Sequence, residues 1–190
     1  MFNSLNYDKP NFLKDRRLIF IDNDIFIIRN FINKKMQEML LNYVNDFKDE
    51  DWLKHGNYKI GDLPAGSFAF NKVSPPVKNI EYLNDEILKL FAPEYWNVSS
   101  LFLNRLRVNE RIPTQTIGNE FGIHYVSNIP LGQWSGGEVC FLDKNIEISL
   151  NSGDLLFFDA NYSVDLKKIT DGIRYSHVDL IIKNPPRLII

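Results

Sequence analysis

Hydrophobic residues recur along this chain with two different spacings, and the change from one to the other falls near residue 98. Before it, the stretch NFINKKMQEMLLNYVNDF sets Phe31, Met36, Met39, Leu40, Tyr43, Val44 and Phe47 along one helical stripe, which predicts an amphipathic helix over 31–47. A second stripe, Ile80, Leu83, Ile87, Leu88 and Phe91, begins after Pro75 and Pro76 and stops at Pro93, predicting a helix over 77–92. Short apolar runs at 18–21, 25–29 and 68–73 read as strands. After residue 98 the texture becomes short runs rich in β-branched and aromatic residues, at 101–108, 121–129, 138–142, 146–150, 154–158 and 173–182, separated by turn residues.

Two helices followed by a series of antiparallel strands predict an α+β, mainly β fold. The architecture expected is a β-sandwich or jelly roll with the N-terminal helices packed on one sheet. One domain, 1–190, is expected, with a helical support region at 1–97 and a β core at 98–190. A length of 190 residues, with 44% hydrophobic residues, suffices for one sizeable core. The formal net charge of −2 gives no general field for nucleic acid or an anionic membrane. A single cysteine, Cys140, excludes an internal disulfide and any cysteine-rich zinc site. No apolar run approaches the ~18 residues of a membrane span, and the opening stretch lacks the apolar core of a signal peptide, so a cytoplasmic, soluble protein is expected.

The last strand raises the question of chemistry. Alternation along it sets Arg174, Ser176, Val178 and Leu180 on one face and Tyr175, His177, Asp179 and Ile181 on the other. One of two covered or half-covered faces therefore carries a guanidinium. That is either a solvent-facing arginine or an anion anchor inside a cavity, and charged side chains are rarely buried without a partner.

Three phrases around it are more specific than a β pattern requires: GGEVCFLD at 136–143, ISLNSGDLLFFDA at 148–160 and ITDGIRYS at 169–176. In that order they resemble the C-terminal core of the 2-oxoglutarate and Fe(II)-dependent dioxygenases of the prolyl 4-hydroxylase type. The resemblance covers about the last half of the chain and implies a double-stranded β-helix, that is, a jelly roll. It also implies that Arg174 binds the distal carboxylate of 2-oxoglutarate, a charge-assisted contact that justifies burying a guanidinium. Ser176 would add a hydroxyl to that carboxylate, and Tyr125, in FGIHYVSNIP, would donate its phenolic hydroxyl.

The chain departs from its resemblance at the iron. Where the family carries a His-x-Asp pair this chain reads IPTQTIGNE, with Gln115 and Ile117 at the pair, and Val164 stands at the distal histidine, ten residues before Arg174. Valine and isoleucine have no donor atom and a glutamine amide is a weak one. His177 and Asp179 match His-x-Asp as text but lie on the face opposite Arg174. His124 points away from any cavity that Tyr125 lines, and His55 sits in a loop. Three readings stay open: a metal-free, inactive or strongly impaired oxygenase scaffold; an active oxygenase whose ligands lie elsewhere; and a non-catalytic jelly-roll module for binding or structure. 2-Oxoglutarate is the small-molecule partner the resemblance implies, and the prime substrate, a peptide or another small molecule, has no readable code.

Overall fold

The computed structural model describes residues 18–48, 52, 68–70, 96–118 and 122–183. Among them the chain runs β1 (Leu18–Asp22), β2 (Ile25–Ile28), α1 (Lys34–Asn45), β3 (Phe68–Phe70), β4 (Trp96–Arg107), β5 (Ile112–Gln115), β6 (Ile123–Gly136), β7 (Val139–Phe141), β8 (Ile146–Ile148), β9 (Leu155–Asp159), β10 (Val164–Leu166) and β11 (Ile169–Lys183). The strands of these residues form two antiparallel sheets. The larger has the order β1-β2-β9-β6-β11-β4-β3 and the smaller β5-β10-β7-β8. Two facing sheets with this crossed order make the jelly roll that the sequence predicts. The helix expected over 77–92 lies outside the described residues.

The main core fills the space between the sheets. Val126, Leu156, Phe158, Val178 and Leu180 of the larger sheet meet Ile112, Val139, Phe141, Ile148 and Leu166 of the smaller. A second cluster covers the larger sheet's outer face, where Phe26, Ile129, Leu131, Phe157 and Ile181 pack with Phe31 and Leu40. Both faces of that sheet are therefore apolar, as expected for a sheet covered on two sides.

α1 forms because its stripe has a surface to meet. Asn33, extended at φ −74° and ψ 165°, caps it by accepting from the Met36 N–H at 2.9 Å, and the helix buries Leu40 and Val44. The capping starts the helix at Lys34, later than the stripe suggests, so Phe31 and Ile32 reach the core from the preceding turn.

β6 runs further than its sequence suggests, through Pro130 and Gly132 to Gly136. β9 pairs with β6 only as far as Asn128; beyond it the Gly153 N–H donates to the Pro130 carbonyl at 2.8 Å, so the edge asks no N–H of the proline there. β11 lies between β6 and β4, with Arg174 opposite Gly132 on one side and Leu106 on the other. Gly172, at φ +75°, fixes this register: a Cβ there would lie 2.2 Å from the carbonyl oxygen of Gln133. β5 and β10 have no counterpart among the expected strands. They are four and three residues long and carry Pro113 and Asp165, so each is too short and too polar to declare itself locally. Among the described residues no helix is long and apolar enough to cross a membrane.

Candidate functional site

Strand alternation decides where the guanidinium goes. Val178 and Leu180 of β11 belong to the core between the sheets, so Arg174 and Ser176 share that inner face, while Tyr175 and Ile181 pack outside. Arg174 is 1% exposed and is the largest fully buried side chain among the described residues. One Nη donates to the carbonyl of Gly137 at 2.5 Å and the other reaches Asn128 Oδ1 at a long 3.4 Å. The ring of Trp134 lies 5.4 Å from its Cζ. Among the described residues Nε has no hydrogen-bond partner and no carboxylate lies within ion-pair distance. Burial pulls the guanidinium down from its ordinary value to about 10, with Glu138 opposing, so it remains a cation at neutral pH.

A buried cation held by neutral groups alone is electrostatically incomplete, because charges leave water only at a large cost unless they are paired. The local backbone is shaped to keep it there. Gly137 is at φ +70°, and a Cβ on it would meet Ile169 Cδ1 at 2.5 Å and the Arg174 Nη at 3.4 Å.

Between the sheets lies a cavity of ≈ 60 Å³, which Arg174 itself does not line. At ~10–15 Å³ each it has room for roughly four to six waters. Its polar lining is Asn104, Gln115, Asn128 and Tyr162; the rest is hydrocarbon, including Ile117, Val126, Phe158, Val164 and Val178. Asn128 joins the two features, since it lines the cavity and accepts from Arg174. Asn104, Asn128 and Tyr162 carry no recognisable signal in the sequence; they are single polar positions in apolar or turn contexts that only the packing brings together.

The three positions that the resemblance sets at the iron, Gln115, Ile117 and Val164, lie together. Val164 of β10 is the direct cross-strand partner of Gln115 in β5, and Gln115, Ile117 and Val164 all line the cavity. The reason is again alternation, since Thr116 Oγ1 and Ser163 Oγ meet at 3.3 Å on the exposed side and turn their neighbours inward. The donor set nevertheless does not fit iron: it offers one neutral amide and two hydrocarbons, whereas Fe(II) needs imidazole and carboxylate ligands. Among the described residues no group of three His, Cys, Asp or Glu side chains is placed to hold a metal ion.

Tyr125 requires a correction. It was expected in the cavity, but it pairs with Asp159 and Ile181 and packs on the outer face, its ring 5.1 Å from that of Phe157. Burial pushes its hydroxyl above its ordinary pKa, with Asp24 and Asp159 adding to the shift. The residue of β6 that reaches Arg174 is Asn128, and Val178 is its partner in β11. Ser176 is buried on the same face as Arg174 and stands opposite Pro130 and Asn104.

His177 and Asp179 lie on the outer face, opposite Arg174, as alternation requires. His177 Nε2 is 3.0 Å from Asp179 Oδ1, and Asp179 Oδ2 accepts from Ser127 Oγ at 2.7 Å, all three residues being buried. This is a structural polar cluster between covered strands. His124 is exposed, and His55 lies outside the described residues.

No family model and no curated protein matches the sequence. Solved structures do match the fold. A prolyl hydroxylase from Trichoplax adhaerens, in complex with a hypoxia inducible factor oxygen degradation domain peptide fragment, superposes with a TM-score of 0.69 at 15% identity, covering 84% of each chain. A Pseudomonas putida prolyl-4-hydroxylase gives 0.67 at 9% identity over 85% of this chain and 94% of its own. The viral collagen prolyl hydroxylase of Paramecium Bursaria Chlorella virus-1, in its 2-oxoglutarate complex, gives 0.61 at 12% identity over 83% and 94%. The chain has the fold of the prolyl 4-hydroxylase-like 2-oxoglutarate oxygenases.

Proposed function

We propose that this chain is a metal-free module that binds a small carboxylate on an oxygenase-type jelly roll. The observation that carries the reading is Arg174: a fully buried cation on the inner face of β11 with, among the described residues, no carboxylate at ion-pair distance and its Nε–H unpartnered. An incoming carboxylate supplies the missing charge and accepts from the guanidinium, which no neutral group around it can do. 2-Oxoglutarate, which the viral structure holds, is one such anion. Here it would lack a metal chelate at its keto-acid end, because the residues expected at the metal, Gln115, Ile117 and Val164, offer no ligand set.

The affinity follows from this loss. A charge-assisted hydrogen bond contributes ~1.5–3 kcal/mol net, while a millimolar complex requires about 4 kcal/mol. Binding of 2-oxoglutarate is therefore expected to be millimolar or weaker and to be independent of iron. The test is an amide chemical-shift titration with 2-oxoglutarate and acetate in the presence of a chelator. Saturable shifts along β11, absent from the Arg174→Met variant, are the expected result. Stoichiometric iron after anaerobic loading, with formation of succinate from 2-oxoglutarate, would overturn the reading and make the protein an oxygenase with other ligands.

A further inference from the structure

The cavity between the sheets is a feature separate from the buried cation. Arg174 does not line it, and Asn128 touches both. The lining holds no carboxylate, imidazole, amine or guanidinium. Its one ionisable group is the Tyr162 phenol, which burial pushes above its ordinary pKa and so keeps neutral at physiological pH. A charged molecule entering this space would leave water with no counter-charge to receive it.

Against the hydrocarbon stand three carboxamides: Asn104 of β4, Gln115 of β5 and Asn128 of β6. They come from three strands and from both sheets, so only the packing of one sheet on the other brings them together. Among the described residues no hydrogen bond ties the side chain of Asn104 or of Gln115. Asn128 has one long contact, to the Arg174 guanidinium at 3.4 Å. A guanidinium only donates, so the atom that Asn128 turns to it is the oxygen, and the Asn128 amide nitrogen remains as a donor for something else. Each carboxamide has N–H donors and a carbonyl acceptor, and the three together present both kinds to the cavity. An occupant that is apolar throughout would bury them unanswered. One that only accepts would leave their carbonyls unanswered, and each unmet buried group counts against binding.

We infer that this cavity is a binding site for a small neutral carboxamide. The ligand's C=O accepts from, and its N–H donates to, the carboxamides of Asn104, Gln115 and Asn128, while its apolar body lies against Ile117, Val126, Phe158 and Val164. A ketone of the same shape has the acceptor without the donor, and a carboxylate of the same shape adds a charge that nothing in the lining neutralises. A site built to hydrogen-bond an N–H rejects the analogue that lacks it, because its own acceptor is then left unpaired.

The experiment is a titration of the full chain at neutral pH, read by the side-chain NH₂ resonances of Asn104, Gln115 and Asn128. Two series of equal shape are used: isobutyramide, 3-methyl-2-butanone and isobutyrate, and benzamide, acetophenone and benzoate. In at least one series the amide should shift these resonances saturably and bind about tenfold or more tightly than its ketone, the ratio expected for one unmet buried acceptor. The carboxylate should not saturate them. Asn104→Leu and Gln115→Met keep the approximate shape and remove a carboxamide, and each should bring the affinity for the amide down to that for the ketone. The two positions lie in different sheets, so either variant that keeps its melting temperature carries this arm, and the comparison of amide with ketone needs no variant.

A ketone or a carboxylate that binds as tightly as its amide overturns the assignment. So does an amide affinity unchanged in the folded variants, or the lack of saturable shifts with both amides up to their solubility. The carboxylate reading of Arg174 is tested apart from this one: acetate-induced shifts along β11 should persist in Asn104→Leu and vanish in Arg174→Met, so either reading can fail while the other stands.

Discussion

Replacing Arg174 by methionine asks whether the arginine is there for the fold or for a ligand. The variant removes a cation whose burial lowers its pKa to about 10, and that fall corresponds to roughly 3 kcal/mol against the folded charged state. On the other side, the Gly137 carbonyl loses its donor at 2.5 Å, an unsatisfied buried acceptor costing ~1–3 kcal/mol. The approach to Trp134 at 5.4 Å adds on the order of 1 kcal/mol. The contact with Asn128 at 3.4 Å is too long to count for much. Methionine fills most of the volume with a flexible apolar chain. The opposing magnitudes nearly cancel, so the net change is expected to lie within about 2 kcal/mol of zero. Thermal melts at neutral pH should shift by no more than about 8 °C, taking ~2–4 °C per kcal/mol for a chain of this size. A loss above about 3 kcal/mol, the range seen when one partner of a true buried ion pair is removed, would show that Arg174 is structural and refute the argument. The pH dependence adds a sign. Below pH 10 the guanidinium is protonated in both states, and its burial penalty is constant. Above about pH 10 the unfolded chain still holds a proton that the folded chain has released. The folded protein therefore gains stability relative to Arg174→Met as pH rises through that range.

Carboxylate binding should show the opposite trend, flat from pH 6 to 9 and weakening above about 10 as the free guanidinium loses its proton, whereas a flat profile to pH 11 would place the anion elsewhere. The triple variant Gln115→His, Ile117→Asp and Val164→His sets two imidazoles on paired strands and a carboxylate two residues beyond β5, at an overpacking cost of ~1–3 kcal/mol. It should melt higher with Fe(II) or Mn(II), by ~2.7 kcal/mol of added stability at 100 times the metal Kd, and should form succinate slowly. A folded triple variant with neither response would reject the match of these positions to the iron ligands. Asp179→Ala removes the acceptor shared by His177 and Ser127 and should cost about 2–5 kcal/mol in urea unfolding, from ~1–3 kcal/mol for each buried group affected. It should leave carboxylate affinity unchanged, because it lies on the other face of β11; a matching loss of affinity would mean that the two faces are coupled.

The sequence by itself determined what depends on local period. The helix stripe of 31–47, the β texture after residue 98 and the division of β11 into an Arg174 face and a His177–Asp179 face all follow from backbone geometry within a few residues, and the structure bears each of them out in outline. The turn phrases around Gly137, Gly153 and Gly172 were legible because only glycine takes their positive φ at such close approaches. Tertiary structure decided the rest. β5 and β10 exist because each supplies the other's hydrogen bonds, so the pairing of Gln115 with Val164 has no local cause that a three- or four-residue window could reveal. The phase of β6 was equally hidden: Tyr125 and Val126 are both apolar enough to be covered, and both faces of the larger sheet are packed, so alternation did not say which faces inward. The register of β6 on β11 settles it, setting Asn128 beside Val178 on the cavity side and Tyr125 beside Ile181 on the other. Position along a strand is written locally, but the neighbour a strand acquires is fixed by the sheet, and the candidate site is made almost wholly of such neighbours.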